Sequence, residues 1–425
     1  MSAANAAQRT VYLVDPDLHG TLGHYLDYAL AVYHEARARG DSFLALVPTC
    51  ASEAVRAALP TRPAFRRRHG GAEPAGRLPH SLRMLGKLGA ESMAAFADLR
   101  RAARSLPAGP SVFFFPNPST MDLLGFVAWI LSRPADDEAS YVILLRWDHH
   151  VRGRRAVHRA LLKAAFGLLR GRRGVRIVSD SAPLARSYAE LAGMPVEVLP
   201  IPHAEPGAGG AAAPARGGAG RPCHLVYVGG WRTEQGVGDL ADALIAMRGD
   251  FAEGRFTATI QARASSVDPQ AAAVQRRLKA AAIPGVEIVE EVLSRERFLG
   301  CLAAADFVVV PYQVEAYRYR TSGIFAEAVA LGKPVITTRE SWMAGELGGD
   351  EALLYTSGSP DDLVRTLRGA AGLLPELGAR AARRRSAWNA FHNPATFYGL
   401  LVGDTRQGAA TARATQVPHE VRRAG

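Results

Sequence analysis

Short apolar runs alternate with stretches of helical periodicity along most of this 425-residue chain. In the first half, strand-like runs lie at 10–15, 42–47, 111–115, 141–145 and 175–179, with a short one at 196–199. Helical patterns fall between or after them at 24–39, 121–131, 156–169 and 182–192, the first stopped by Gly40. Alternation of this kind predicts a parallel sheet covered by helices on both faces. Residues 59–89 interrupt the rhythm. They are rich in Pro, Gly, Arg and His, the pattern predicts no element in them, and loops this long are uncommon unless functional or mobile. A Gly- and Ala-rich stretch at 206–222 reads as a flexible linker. Alternation then resumes, with strands at 225–228, 256–261, 286–289, 307–310 and 335–337 and helices at 238–247, 295–304, 323–331 and 361–371. The expectation is an α/β protein of two doubly wound Rossmann-like domains, 1–205 and 223–385. A helical segment at 386–405 returns to the first domain, and 406–425 form a disordered tail. Such domains bind ligands at the carboxyl ends of their strands, so a cleft between the two is the expected site.

Charge adds a direction. The net charge of +11, from 51 basic and 40 acidic residues, favours anionic partners such as nucleotides or phospholipid headgroups, although an Arg-rich composition accounts for part of the excess. Nucleic acid is set aside, because no recognition module is visible and the basic residues are not interleaved with aromatics. The three cysteines, Cys50, Cys223 and Cys301, lie far apart and suggest neither a disulfide framework nor a zinc site. Residues 1–9 lack the pattern of a secretory signal, and no run of ~18 apolar residues occurs, so a cytoplasmic location is expected. Residues 152–173 hold eight Lys or Arg and no acid, interleaved with Leu161, Leu162, Phe166, Leu168 and Leu169. A basic amphipathic helix of this kind can lie on an anionic membrane, here the inner face; a helix packed on the sheet with a solvated basic face is the simpler account.

The strongest chemical signal is the run Arg320-Thr321-Ser322-Gly323-Ile324-Phe325-Ala326-Glu327, which follows a buried strand. Thr321 or Ser322 can cap a helix that begins at Gly323, where a ligand can approach the backbone closely. The first-turn N–H groups and the helix dipole make an anion site. Glu327 lies one turn deeper on the same face, and a carboxylate there can accept both hydroxyls of a ribose whose phosphates sit at the helix end. An acid on an otherwise apolar helix needs a reason to be there.

With this segment and its order of elements, the chain resembles the retaining glycosyltransferases of the GT-B fold (family 4-like, group 1), best over 223–347 and less well over 10–201. The resemblance implies a metal-independent transferase that uses a nucleoside diphosphate sugar as co-substrate and retains configuration at the anomeric carbon. The acceptor would be a glycan or glycolipid, in cell-surface polysaccharide or lipopolysaccharide synthesis. It implies that Glu327 binds the nucleotide ribose. At the position eight residues earlier, where the family has a glutamate touching the donor sugar, this chain has Tyr319.

Three further segments fit that reading. In Val228-Gly229-Gly230-Trp231-Arg232-Thr233-Glu234-Gln235-Gly236, the paired glycines Gly229 and Gly230 let a loop approach phosphates and Arg232 can pair with them; Gln235 stands where the similar segment has a lysine, and Arg318 or Arg320 are candidate substitutes. His19-Gly20-Thr21-Leu22-Gly23-His24 follows the first strand, so Gly20 and Gly23 are candidates for donor or acceptor contact. His149 and His150 follow a strand end, where similar enzymes carry a histidine near the transferred sugar. Asp15-Pro16-Asp17 matches a metal-binding pattern only superficially, and no metal ligands are assigned. Two other readings stay open: a sugar-nucleotide 2-epimerase of the same fold, and a degenerate nucleotide-binding scaffold, for which Tyr319 and Gln235 speak.

Overall fold

The computed structural model describes residues 8–20, 25–66, 80–148, 156–203, 221–264, 267–347 and 351–404. The chain forms two compact units. Unit 1 comprises Met1–His203 with Asn393–Gly425, and unit 2 comprises Ala204–His392. The linker expected at 206–222 falls almost wholly outside the described residues, as does the tail expected at 406–425.

Unit 1 is built on a seven-stranded parallel sheet. Its strands are β1 (Thr10–Val14), β2 (Ser42–Pro48), β3 (Thr61–Phe65), β4 (Ser111–Phe115), β5 (Ser140–Leu145), β6 (Val175–Ser179) and β7 (Glu197–Val198), in the order β3-β2-β1-β4-β5-β6-β7. The central strands are apolar throughout because helices cover both faces; in β4 and β5 only the first residue is not buried. Residues 59–89 are not the structureless loop the composition suggests. They contain β3 and the start of a 24-residue helix, His80–Ala103. Pro63 hides the strand in the sequence, yet β3 is an edge strand, where a residue without an N–H is tolerated.

The helix Pro394–Leu401 completes unit 1. Phe397 packs edge-on against Tyr28 and Phe114, each with ring centroids 5.8 Å away, and the Tyr398 hydroxyl donates to Asp41 at 2.8 Å.

Unit 2 has six parallel strands: β8 (Cys223–Tyr227), β9 (Phe256–Gln261), β10 (Val286–Val289), β11 (Phe307–Val310), β12 (Val335–Thr338) and β13 (Ala352–Tyr355), in the order β10-β9-β8-β11-β12-β13. Each sheet therefore reverses its winding once, between β1 and β4 in unit 1 and between β8 and β11 in unit 2. At such a point the loops leaving two adjacent strands part in opposite directions and open a crevice at the strands' carboxyl ends. Among the described residues no helix is long and apolar enough to cross a membrane.

Candidate functional site

The crevice of unit 2 is made by two segments: the loop after β8 and the run from the end of β11 into the helix Gly323–Ala330. They touch closely. Gly229 has φ +126°, and a Cβ there would stand 2.2 Å from the Ile324 side chain. The Gly229 N–H donates to Gln261 Oε1 at 2.7 Å, so the residue at the end of β9 fixes this loop from beneath. Gly236 has φ +68° and lies so near the end of β11 that an added Cβ would meet the Pro311 carbonyl oxygen at 1.7 Å. Gln235 is buried; its side-chain amide donates to the Tyr312 hydroxyl at 3.0 Å and its carbonyl accepts from Arg232 Nε at 3.4 Å. Tyr312 is in turn hydrogen-bonded to Ser322, and its burial pushes the hydroxyl's pKa well up, so it stays a neutral connector. Gln235, at the position read as a lost lysine, thus cross-links the two segments.

Ser322 caps the helix, its hydroxyl accepting from the Phe325 N–H at 3.2 Å, which decides between the two capping candidates. Gly323 opens the first turn. It is exposed, and a Cβ there would have no neighbour within 4 Å. Nothing in the protein requires a glycine at this helix start, whereas Gly229 and Gly236 are required by the backbone itself. Glu327 is buried at 7% exposure, and its Oε1 lies 2.5 Å from Arg295 Nη2. Arg295 is the first residue of the helix Arg295–Ala304, which follows β10 and is capped by Ser294.

The charges beside the glycine loop form a shared set. Glu234 stands between two guanidiniums, 3.8 Å from Arg232 Nη1 and 3.4 Å from Arg320 Nη1. Arg320 is buried, its guanidinium 4.7 Å from the centre of the Tyr317 ring. Arg232 is half exposed. Asp268, which accepts from the Thr233 N–H at 2.8 Å, also lies within the field of Arg232, so cations and carboxylates balance here and the pull on an anion comes from the adjoining helix start. Arg318, the other candidate cation, is paired with Glu340 at 2.9 Å. Tyr319 is half-buried and Thr321 lies between it and the capping serine. The structure thus brings Gly229, Gly230, Arg232, Arg320, Ser322, Gly323 and Glu327 into one region of unit 2. Arg295, Glu234, Gln261 and Tyr312 also belong to this region, and no local pattern in the sequence marks them.

In unit 1 the corresponding crevice lies between β1 and β4. Asp15, at the end of β1, is buried and accepts from the Asp17 N–H at 2.9 Å, which folds the loop back on itself. Burial, and then the neighbouring Asp17, push the Asp15 carboxyl up to about 7. Gly20 ends the described part of this loop, with open space around it. Asn117, after β4, donates to the Tyr25 hydroxyl at 3.3 Å. At the end of β5, Arg146 pairs with buried Asp180 at 2.7 Å and lies 4.6 Å over the Tyr28 ring. A small crevice beside it is lined by Pro118, Thr120, Leu123, Arg146, Trp147 and Tyr188, among others. Gly23, His149 and His150 lie outside the described residues.

Comparison with known proteins agrees with this geometry. Residues 222–371 match the family model of the glycosyl transferases group 1. No curated protein matches the chain by sequence. Solved structures similar to it include the N-terminal domain of trehalose-6-phosphate phosphatase from Candida albicans, with TM-score 0.67, 12% identity, and 95% of this chain and 97% of that one covered. The UDP-forming α,α-trehalose-phosphate synthase of Burkholderia vietnamiensis gives TM-score 0.64 and 15% identity, with 96% and 100% covered. HepE of Anabaena, solved with UDP and glucose, gives TM-score 0.61 and 12% identity, with 93% and 99% covered. At these identities the likeness is one of fold, and the fold is GT-B.

Proposed function

We propose, from the match of residues 222–371 to the family model of the glycosyl transferases group 1, that this protein moves a sugar from a nucleoside diphosphate sugar to a glycan or lipid-linked acceptor, with retention at the anomeric carbon and without a bound metal. The observation that carries the proposal is an open helix start at the winding reversal of unit 2, with the exposed Gly323 at its tip, the Gly229 loop pressed against Ile324, and Glu327 one turn inside. The diphosphate binds at the first-turn N–H groups, and Arg232 turns from Glu234 to meet it. As the bond from sugar to phosphate stretches, these fixed donors stabilise the charge that develops on the leaving diphosphate. Glu327 accepts from the ribose hydroxyls, and Tyr319 contacts the donor sugar. Unit 1 binds the acceptor, with Gly20, Gly23, and His149 or His150 as its candidate contacts.

A uridine nucleotide is the first to test, since the Anabaena structure holds UDP and the Burkholderia synthase is UDP-forming. Titration of the purified protein with UDP, GDP and ADP in EDTA should give selective binding of one of them. Absence of binding to all three would refute the donor site and favour the scaffold reading, to which Tyr319 and the buried Gln235 point. Turnover by the purified protein would exclude the scaffold reading.

The acceptor side is proposed to work at an anionic membrane of the cell's inner face, in cell-surface polysaccharide synthesis. In the helix Ala156–Leu169, Val157 is 56% and Leu168 63% exposed, with Arg159 and Lys163 exposed between them. An apolar stripe bordered by cations is the surface such a membrane takes.

A further inference from the structure

We propose that Arg295 is a positioning residue for the carboxylate of Glu327, and that this pair makes the site selective for ribonucleotides over their 2′-deoxy counterparts. The inference rests on the donor-site reading above. Glu327 is the only ionisable residue on the helix Gly323–Ala330 and is buried among apolar neighbours. A buried carboxylate keeps its charge cheaply only when a cation and hydrogen bonds hold it. Arg295 supplies that hold at 2.5 Å, from a separate element that begins just beyond β10. The Arg295 guanidinium also lies 5.9 Å from the centre of the Phe298 ring, one turn along its own helix, so the fork is constrained on a second side.

The pair is asymmetric. The Glu327 side chain is 10% exposed and the Arg295 side chain 43%. The arginine therefore contributes little packing; its effect falls on the orientation and charge of its partner. Two vicinal hydroxyls are held together best by a carboxylate that is charged and anchored, and the bond from Arg295 Nη2 to Oε1 supplies both the countercharge and the anchor. A carboxylate can accept about four hydrogen bonds, so the bond from Arg295 is compatible with two from a ribose. A 2′-deoxyribose has lost one of the two hydroxyls, and with it most of the benefit of an anchored carboxylate.

The experiment is calorimetric titration of the full-length protein and its R295A, R295K and E327Q variants. The ligands are the nucleoside diphosphate that the wild type binds best and the 2′-deoxy form of that compound. The wild type should prefer the ribonucleotide by ~10-fold or more, the size of a hydrogen bond to a charged group. In R295A the ribonucleotide should lose ~10-fold in affinity while the 2′-deoxy form changes less than twofold, so the preference collapses. R295K should restore most of it, and adding R295A to E327Q should change nothing further. Equal losses for both ligands in R295A and R295K, with a lowered melting temperature, would make the pair purely structural and overturn the inference. So would an unchanged preference in R295A. Failure of the wild type to bind any nucleoside diphosphate would instead overturn the donor-site reading, a separate and recognisable outcome.

Discussion

Gly236→Ala tests the close approach on which the unit 2 crevice depends. Gly236 sits at φ +68°, and a Cβ there would fall 1.7 Å from the Pro311 carbonyl oxygen and 2.7 Å from its carbon. An ordinary carbon–oxygen contact is ~3.3 Å, so the two backbones would have to part by roughly 1.5 Å. Backbone, unlike the end of a flexible side chain, cannot swing aside. The left-handed conformation costs alanine ~1–2 kcal/mol, and forced separation of packed segments costs ~1–3 kcal/mol more. The Pro311 oxygen also accepts the Tyr355 hydroxyl at 3.0 Å, a bond worth ~1 kcal/mol that the shift would disturb. The sum, ~3–6 kcal/mol, is a large share of the ~5–15 kcal/mol that holds a typical domain. At ~2–4 °C per kcal/mol for a unit of this size, the melting of unit 2 should fall by on the order of 10 °C. Two units need not unfold together, so calorimetry should be read with hydrogen exchange at peptides of β8 and β11. Gly323→Ala is the control: its Cβ meets nothing within 4 Å and its helix gains a better helix former. It should melt at or slightly above the wild type, and weaken nucleoside diphosphate binding only through steric exclusion of the ligand. A Gly236→Ala protein melting within ~2 °C of the wild type would refute the reasoning, because the contact would then not be rigid.

Three other outcomes are expected. Glu327→Ala should lower nucleoside diphosphate affinity by roughly 10–100-fold in calorimetry with little loss of stability, since the half-exposed Arg295 can turn to water. Asp15 has its pKa raised from 3.8 to about 7, so the folded state holds a proton the unfolded state has lost. The stability of unit 1 should therefore fall as pH rises from about 4 to about 7, by at most ~1.4 kcal/mol per pH unit, and level off above; Asp15→Asn should remove that slope in urea titrations at a series of pH values. Replacing both Val157 and Leu168 by Glu should reduce sedimentation with anionic vesicles several-fold while leaving binding to the nucleoside diphosphate unchanged; equal sedimentation would remove the membrane from the proposal.

Legibility in the sequence followed how local the cause was. The runs 111–115, 175–179, 256–261, 286–289 and 307–310 are strands β4, β6, β9, β10 and β11 to the residue, because each is rich in β-branched or aromatic residues, whether interior to its sheet or, like β10, at its edge. Helices with little buried surface are less visible. The helix Pro269–Ala281 buries only Ala271 and Leu278, so it carries no apolar stripe to be read. The helix expected to end at residue 371 runs on to Phe391 through Pro375, past the point where proline would normally break it. At the site, Glu327 stood out as an acid in an apolar helix, and Gly323 as a glycine before one. Arg295 did not, because its pairing with Glu327 spans 32 residues and two elements, and one surface-like arginine at a helix start resembles any other. Glu234 and Gln261 were hidden for the same reason: their role is to hold other side chains, and that role exists only once the strands are ordered side by side.

The return of the chain at residue 393 has a consequence for synthesis. Unit 2 is one continuous segment, whereas unit 1 needs Phe397 and Tyr398 to close around Tyr28, Phe114 and Asp41. On the ribosome, the second unit can finish folding while the first, translated earlier, still waits with part of its core unfilled. The usual order, in which the N-terminal domain matures first, is thereby inverted. A stop anywhere between the two units and residue 393 would strand the earlier-made half without its final helix. The last dozen described residues thus act as the closing stitch of the half that is made first.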